Sequence, residues 1–459
     1  MQSGQGVEDY NPQIKPEYVQ SWEFGLQRPL GTNTVLEVRY VGNHGVDLWS
    51  AVNLNEVNVV ENNFTKEFQN AQSNLAIANG ISVAQLLTPG TKLTTNNFGN
   101  TGLAGQLAVP ILLTALGTTN DQTTATQLTQ GTVGATASAI ATNATRMANL
   151  TKALYPANFF QVNPLNGGAS TEMTNRNSST YNSGQVEIRR RLAGGLQLQG
   201  SYTFSKSLTD ANTPTIRNWG GDKGPTTFDI RHGIKATWIY QLPFGQGRPL
   251  LYSAHGVLGK VVSGWEMAGV GRLQSGSPTN ITSGRGTFNV GDGGVVLHNI
   301  TAAQVQSEMG ITHTSQINAN GSVTGTVYLL PQSLVQNTLA AFALGTGTLD
   351  PTAPYIGPCT TAGQICNHFF YWGPWLSKWD VSLVKRTQIK ERLNFELRVQ
   401  ALNVFNHPNI LSPGGSATGG NISSAVGTAF GQTTAAFRDF NNTNDPGGRT
   451  LEFVARLNF

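Results

Sequence analysis

The chain has 459 residues, and charged side chains make up only 12% of them, about half the share that is typical of soluble domains. Its formal net charge of +4 is small for this length. Lysine and arginine are scattered along the chain, so nothing marks a nucleic-acid-binding surface. Glycine, asparagine, threonine and glutamine are abundant, which suits long polar loops on a β framework.

Segments of alternating apolar and polar side chains recur along the chain, with the period of two that an extended strand requires. In the first hairpin, Trp22, Phe24 and Leu26 share one strand face, and a turn at residues 29–33 leads to the second strand. The nine predicted strands cover residues 18–27, 36–40, 185–189, 196–205, 228–241, 265–274, 379–383, 393–401 and 449–459.

The connections between these strands alternate in length. Those after the first, third, fifth and seventh strands are comparatively short, and the last of these is predicted to turn at residues 385–392. The other connections are long, and the first of them lacks sustained alternation, although a few helical turns, such as residues 82–87, are plausible. The predicted long loops cover residues 44–180, 206–227, 276–376 and 406–448.

Short turns at one rim and long loops at the other are typical of outer-membrane barrels, whose short side is periplasmic. The sequence therefore predicts an all-β fold, an antiparallel transmembrane β-barrel with long extracellular loops. Bacterial single-chain barrels have even numbers of strands. The odd count of nine thus predicts either a missed strand or a partial barrel of about nine or ten strands.

The terminal strand has an intact apolar side. Leu451, Phe453, Ala455, Leu457 and Phe459 fall on one face, and polar side chains dominate the other. A soluble sheet would show the same alternation. A chain that ends on an aromatic residue in such a strand favours a barrel, and we interpret Phe453, Leu457 and Phe459 as an outer-membrane assembly signal.

Several aromatic residues of the predicted strands have two interpretations. They form either girdles at the two membrane interfaces or ordinary core packing in a soluble sheet. The connection asymmetry favours girdles, because transmembrane barrels place aromatic side chains at both interfaces. The predicted girdle consists of Trp22, Tyr40, Tyr202, Trp238, Tyr240, Trp265 and Trp379.

The opposite face of the predicted strands carries nearly balanced charges, which neighbouring strands can pair across a polar wall. A balanced wall does not indicate selection of ions of one sign. Its acids are Glu23, Glu37, Glu187, Glu266, Asp380, Glu396 and Glu452, and its bases are Arg39, Arg189, Lys235, Arg272, Arg398 and Arg456.

The two cysteines, Cys359 and Cys366, lie close together in a segment rich in threonine and glycine. In an oxidising compartment they would form a disulfide that closes a small loop, whereas a zinc site would need further ligands, and His368 alone does not complete one. His232 and His407 are interpreted as hydrogen-bonding residues of a rim or turn. The segment around Asp439 departs from an EF-hand, so its Asn and Asp residues are interpreted as turns.

No catalytic, cofactor-binding or metal-binding motif occurs, so we expect neither an enzyme nor a bound cofactor. The most apolar run, residues 107–116, is too short for a transmembrane helix and contains Pro110. The first sixteen residues show no basic start followed by an apolar core, so we expect no signal peptide within this sequence.

A series of phrases in the chain resembles the carboxyl-terminal barrel of TonB-dependent, Oar-like outer-membrane receptors. They occur in the order expected for that family, although the long loops carry no recognisable signal. The phrases are residues 18–45, 200–210 and 228–248, a GW pair followed by GSP at 276–278, then residues 397–409, FGQ at 430–432, and the terminal strand.

The resemblance implies a barrel of about 22 strands around an amino-terminal plug, in a parent protein that imports a large nutrient such as a glycan, peptide or metal chelate. It also implies outer-membrane lipid, the barrel-assembly machinery and TonB as partners. We find no counterpart of the plug or TonB-contacting segment, so we expect this sequence to be a fragment that covers the barrel portion. The alternative is a soluble or surface-exposed β-sheet adhesin or binding protein.

Overall fold

The computed structural model describes residues 6–164, 170–210, 215–218, 223–317, 323–344, 347–390, 393–410, 420–422, 430–433 and 447–458. In chain order the strands are β1 (Val7–Tyr10), β2 (Tyr18–Pro29), β3 (Thr34–Asn53), β4 (Ser170–Ala193), β5 (Leu196–Thr209), β6 (Gly224–Pro225), β7 (His232–Gln241), β8 (Trp265–Gln274), β9 (Pro278–Ser283), β10 (Val295–His298), β11 (Thr312–Ile317), β12 (Val323–Tyr328), β13 (Tyr355–Pro358), β14 (Phe369–Trp372), β15 (Leu376–Lys390), β16 (Leu393–Leu402), β17 (Gly420–Ile422), β18 (Gln432–Thr433) and β19 (Thr450–Asn458).

The described helices all lie in the connections between strands. They are α1 (Phe64–Ala78), α2 (Val83–Leu86), α3 (Pro110–Leu116), α4 (Gln122–Gln130), α5 (Val133–Ala141), α6 (Ala144–Lys152), α7 (Gly256–Val262), α8 (Ala302–Ser307) and α9 (Gln332–Ala341). Within the described ranges, no helix has the length and apolar character needed to cross a membrane.

The long strands form one antiparallel sheet in the order β2, β3, β4, β5, β7, β8, β15, β16 and β19. Each strand pairs with its predecessor among these nine, as in a meander. The short strand β1 pairs in parallel with β4, and β6 pairs with β5. Among the described residues, β2 and β19 do not pair with each other, so the sheet stays open.

All nine predicted strands are present, so the predicted antiparallel all-β architecture is confirmed. Several strands are longer than predicted: β3 runs on to Asn53, β4 begins at Ser170, and β15 continues to Lys390. Residues 385–390 therefore belong to strand β15, and the prediction of a turn is wrong for these residues. Backbone pairing with β16 satisfies the peptide groups there, although the side chains are polar on both faces.

The first long connection contains more helix than the few turns that the sequence predicts. Residues 54–164 contain α1 to α6, which pack around a common apolar core. The helical turns expected at residues 82–87 are confirmed by α2, where Ser82 and Gln85 form a reciprocal capping box. The connection is long because it contains a folded unit.

The strand register gives the sheet one apolar and one polar face. From β2 to β19, the side chains of Leu26, Val38, Val186, Tyr202, Ile234, Leu273, Val381, Val399 and Phe453 occupy the same face. The acids and arginines of the predicted polar wall occupy the other. Because the period is two, a slip of one residue in any strand would exchange the faces.

Candidate functional site

The polar face carries a network of ion pairs across β2, β3 and β4. The guanidinium of Arg39 lies 3.1 Å from Glu37, 3.6 Å from Glu23 and 3.8 Å from Glu187. Arg189 donates to Glu187 at 2.6 Å and reaches Glu37 at 3.3 Å. Two cations thus join three carboxylates, which is the pairing expected of a balanced polar wall.

A second network spans β8, β15 and β16. Arg386 lies 3.3 Å from Glu266 and 3.0 Å from Glu396, and Arg398 lies 3.1 Å from Glu396. Arg386 was missed by the sequence analysis, because the expected turn there hid the continuation of β15. Three strands are therefore tied together by charges on the same face.

Other members of the predicted polar wall make contacts of a different kind. Lys235 and Arg272 lie directly opposite each other in the register of β7 and β8, and Arg272 Nε donates to the side-chain oxygen of Gln274 at 2.7 Å. Asp380 accepts from the backbone N–H of Asn403 at 2.8 Å. The wall therefore combines ion pairs with hydrogen bonds to neutral groups.

The seven residues of the predicted aromatic girdle all lie on the apolar face. Tyr240 is next to the last residue of β7 and Trp265 begins β8, at the rim with the short turns, whereas Trp22, Tyr40 and Tyr202 lie within β2, β3 and β5. Trp238 and Trp379 lie between the two rims, opposite Gly269 and Gly271 of β8. The apolar face thus carries all seven residues, and their arrangement as two girdles stays a prediction.

Three of these tryptophans cover glycines of the neighbouring strand. A Cβ added to Gly269 would lie 2.2 Å from the ring of Trp238, and one added to Gly271 would lie 2.2 Å from the ring of Trp379. Gly42 stands in the same relation to Trp22. Each glycine therefore leaves the space that an indole ring fills, a pairing known to stabilise sheets.

The terminal strand β19 is an edge of the sheet. Its side chains Phe453 and Leu457 lie on the apolar face with exposed fractions of 70% and 50%. Phe459 lies outside the described residues. The apolar side of this edge therefore has no cover from the described part of the chain.

Residues 54–164, the first loop unit, have their own apolar core. Phe64, Phe68 and Leu75 of α1 are fully buried in it. Helices α3 to α6 contribute Leu112, Leu128, Ile140 and Leu150. The buried carboxylate of Glu67 accepts from the backbone N–H of Leu112 at 2.7 Å, in the first turn of α3, and burial raises the pKa of this carboxyl group.

Residues 276–375, the second loop unit, form another core around Tyr371, Ile281 and Ile356. A disulfide joins Cys359 and Cys366, whose Cα atoms are 6.0 Å apart. Phe288 and Ala362 of this unit are buried in the core of the first loop unit. The two loop units therefore pack as one structure, here called the outer cap.

Glu56, in the first loop unit, joins three of the connections between strands. Its carboxylate accepts from the backbone N–H of Ile216 at 2.9 Å, from the Thr215 hydroxyl at 2.8 Å and from the side-chain amide of Asn289 at 2.8 Å. Arg217 lies 3.6 Å from the same carboxylate. No local sequence pattern predicts this role of Glu56, because its partners are distant in the sequence.

Asp229 connects the outer cap to the sheet. Its fully buried carboxylate accepts from the backbone N–H of Ser207 at 2.6 Å and pairs with Arg231 at 3.0 Å. The indole N–H of Trp372, in the second loop unit, also donates to it at 3.3 Å. Residues 228–231 (FDIR), which belong to one of the segments that carry the family resemblance, thus link strand β5 to the outer cap.

The histidines singled out by the sequence lie near the same rim. A ring nitrogen of His232 is 2.9 Å from the Tyr202 hydroxyl, and its ring stacks on Trp375. His407 engages Asn403 through its backbone N–H and carbonyl. Within the described ranges, no three His, Cys, Asp or Glu side chains come close enough together to hold a metal ion.

Asp292 is a buried carboxylate of the second loop unit. It accepts from the backbone N–H of Phe288 at 2.8 Å and from the Thr287 hydroxyl at 3.0 Å. Burial raises the pKa of Asp292 to about 6, although these hydrogen bonds act in the opposite direction. This carboxyl group therefore titrates near neutral pH.

The sequence matches the family model described as "Outer membrane beta barrel domain" over residues 1–442. This chain belongs to that family of outer-membrane β-barrels. A comparison of the sequence with curated proteins finds no match.

Solved structures that resemble the chain are outer-membrane proteins. The transporter YddB from Escherichia coli has a TM-score of 0.36 and 10% identity, over 99% of this chain and 34% of that chain. The pyoverdine receptor FpvA from Pseudomonas aeruginosa has a TM-score of 0.32 and 12% identity, over 98% of this chain and 31% of that chain. The FrpB iron transporter from Neisseria meningitidis has a TM-score of 0.29 and 10% identity, over 98% of this chain and 32% of that chain. The chain thus spans about a third of their length.

Proposed function

We propose that the chain is the carboxyl-terminal barrel portion of a TonB-dependent, Oar-like receptor, and that its parent protein imports a large nutrient such as a glycan, peptide or metal chelate. One observation carries this proposal. A sheet with one apolar and one ion-paired polar face bears folded loop units at one rim and short turns at the other. A receptor needs this arrangement, because the cap meets the ligand while the wall encloses its path.

In this proposal the apolar face contacts outer-membrane lipid and the polar face lines the interior. The outer cap lies outside the cell, and the turns between β2 and β3 and between β4 and β5 lie in the periplasm. The terminal strand, with Phe453 and Leu457, is the segment that the barrel-assembly machinery recognises. In the parent protein, a plug occupies the interior and contacts TonB.

Epitope insertion in intact cells tests the orientation. One tag replaces the cap position Leu154, which is 92% exposed, and another is placed at Gly194 in the turn between β4 and β5. With a signal sequence supplied, we expect membrane-fraction protein whose cap tag binds antibody on intact cells and whose turn tag binds only after permeabilisation. Recovery in the soluble periplasm, or the reverse labelling, would refute the proposal.

Uptake by cells that carry the parent gene tests the receptor function. We expect accumulation of one labelled class among ferric chelates, peptides and glycans, and expect loss of TonB to abolish it. Uptake that is unchanged without TonB would contradict the assignment to TonB-dependent receptors.

A further inference from the structure

A cavity of about 410 Å³ opens in the outer cap between its two loop units. The first loop unit contributes the segment around Leu87 and Leu93 and the exposed side of α4, and the second contributes Arg285 and Ala343. This volume lies within the range of small-molecule sites. The cavity lining contains no residue of the two ion-pair networks of the sheet.

Arg285 is a cation without a counter-charge in this cavity. Its guanidinium carbon lies 5.3 Å from the centroid of the Phe342 ring. Among the described residues, no carboxylate or carbonyl oxygen accepts a hydrogen bond from this guanidinium. Burial lowers the pKa of Arg285 to about 10, so the group remains charged at neutral pH. A partly buried charge without an acceptor is costly, and an anion in the cavity would relieve that cost.

The packing of the two loop units fixes the position of Arg285. Its backbone N–H donates to the carbonyl of Ser283 at 2.7 Å, and the carbonyl of the next residue, Gly286, accepts from Ala135 of α5 at 3.3 Å. Two residues further on, Phe288 enters the core of the first loop unit. The backbone that carries Arg285 is thus held at the seam between the two loop units, which favours a preorganised site.

The remaining lining can bind hydroxyl groups. The side-chain amides of Asn96, Gln122 and Gln130 line the cavity and make no hydrogen bond to other described residues. Each amide offers donors and an acceptor. Leu87 and Leu93 add apolar surface. The cavity therefore combines one cation, several neutral hydrogen-bonding groups and apolar faces.

We propose that this cavity binds an acidic sugar, with the carboxylate of a hexuronic acid on Arg285 and its hydroxyl groups on the three amides. A guanidinium binds a carboxylate through two parallel hydrogen bonds. The proposal deepens the proposed function by naming a ligand class for the outer cap, and it rests on that function for the cap's exposure to the medium.

Calorimetric titration of the full chain in detergent micelles tests the site, with glucuronate, glucose and sulfate as probes. We expect glucuronate to bind at least about tenfold more tightly than glucose, because a hydrogen bond to a charged group contributes that much. Arg285→Gln should remove this preference, whereas Arg248→Gln, which changes an arginine bonded to Gln241 away from the cap, should keep it. Arg285→Lys should give an intermediate affinity, because it keeps the charge and loses the planar fork.

Equal glucuronate binding by wild type and Arg285→Gln would overturn the proposal, as would absence of glucuronate binding by the wild type. Binding of sulfate without glucuronate would overturn the sugar assignment. These outcomes are independent of the epitope experiment, so a failure of this site and a failure of the receptor orientation can be distinguished.

A separate surface lies at the rim with the short turns. Residues 250–262, the rim segment, contain α7. They expose a contiguous group of apolar side chains, which is more than the single apolar residues that are normal on a protein surface. Its members are Leu250, Leu251, Tyr252, Val257, Leu258 and Val261, with exposed fractions between 49% and 80%.

The rim segment lies on the apolar side of the wall. The indole N–H of Trp265 donates to the carbonyl of Val261 at 2.9 Å. The ammonium of Lys385 donates to the carbonyl of Lys260 at 2.7 Å and also to that of Ser263. Trp265 and Lys385 are register partners on the apolar face, so side chains of that face hold the carboxyl end of α7.

We infer that the rim segment inserts into the headgroup region of the membrane leaflet at this rim. The apolar face of an outer-membrane barrel contacts lipid, and the exposed side chains of α7 continue that surface. Lys260 is also exposed and suits anionic headgroups. An apolar surface with a flanking cation is the pattern of interfacial helices.

Fluorescence of bimane attached to Leu258→Cys tests this inference, in vesicles of phosphatidylethanolamine and phosphatidylglycerol. We expect blue-shifted emission and quenching by lipids brominated near the headgroup. The control, Leu154→Cys in the cap, should show emission as in water and no quenching. The inference would be overturned if the label at Leu258→Cys showed the same water-like emission as the label at Leu154→Cys. Quenching of the Leu258→Cys label only by lipids that are brominated deep in the acyl chains would also overturn it.

Discussion

The indole ring of Trp238 lies over Gly269 of the neighbouring strand, where a Cβ would come within 2.2 Å of the ring. Gly269→Ala must therefore displace an indole that fills the apolar face between β7 and β8. Overpacking of this kind costs about 1–3 kcal/mol. We expect a lower midpoint of urea unfolding for this variant. Gly184→Ala is the control, because a Cβ there meets nothing within 4 Å, and an equal loss in both variants would contradict the role of the ring.

Glu187 is the most enclosed carboxylate of the first ion-pair network, with a side-chain exposure of 11%. It accepts from Arg189 and also from the amide of Gln199 at 2.8 Å. Removing its charge weakens the hydrogen bonds that this enclosed carboxylate accepts, so Glu187→Gln should lower the free energy of unfolding by about 1–2 kcal/mol. The control, Glu23→Gln, changes a carboxylate that is 56% exposed and should cost at most about 1 kcal/mol. Denaturant unfolding checks both, and a larger loss for Glu23→Gln would contradict this ranking.

Asp292 gives the outer cap a dependence on pH. Its pKa is raised from 3.8 to about 6 by burial, so the folded cap holds a proton that the unfolded chain has released. The stabilisation is complete below about pH 4 and is lost as the pH rises through 6, by about 3 kcal/mol in total. We expect the melting temperature of the wild type, measured relative to that of Asp292→Asn, to decrease as the pH is raised from about 4 to above 6. A difference that is constant with pH would refute this prediction.

The disulfide between Cys359 and Cys366 closes a short loop beside the first loop unit. The carbonyl of Thr360 lies against Gly131, which leaves no room for a Cβ, and Ala362 is buried in the first core. Replacing both cysteines with serine should lower the stability of the cap by about 2.5 kcal/mol, from the entropy of closing a loop of this length. Hydrogen exchange of residues 355–366 should speed up, while exchange in β16 stays unchanged. Equal exchange of residues 355–366 in the wild type and the double-serine variant would contradict this prediction.

The strands could be predicted because each has two different environments. In β16, for example, Phe395, Leu397 and Val399 alternate with Glu396 and Arg398, and the register places these sets on opposite faces. The extensions of β3, β4 and β15 could not be predicted in this way. Polar side chains occupy both of their faces, and only pairing with neighbouring strands specifies them.

The first loop unit was missed although part of its signal was present. Phe64, Phe68 and Leu75 have helical spacing, and Gly117 and Gly131 end helices in left-handed conformations. These short helices are rich in threonine and alanine, so periodicity was weak in most of them, and their stability comes from shared packing.

The residues that define the outer cap were beyond the reach of a single sequence. Glu56 bonds to residues more than 150 positions away, and the cavity around Arg285 combines two separate connections. No local pattern distinguishes either residue from an ordinary surface charge. Such sites depend on how folded loop units pack, which strand alternation does not encode.

The central claim is that the apolar face of the sheet meets lipid and the polar face meets water. Spin labels at successive cysteine substitutions of Phe395, Glu396, Leu397, Arg398 and Val399 measure this directly in vesicles, through collision with oxygen in lipid and a nickel chelate in water. We predict a period of two, with oxygen access highest at 395, 397 and 399 and chelate access highest at 396 and 398. Chelate access at every position, or no alternation, would contradict the claim.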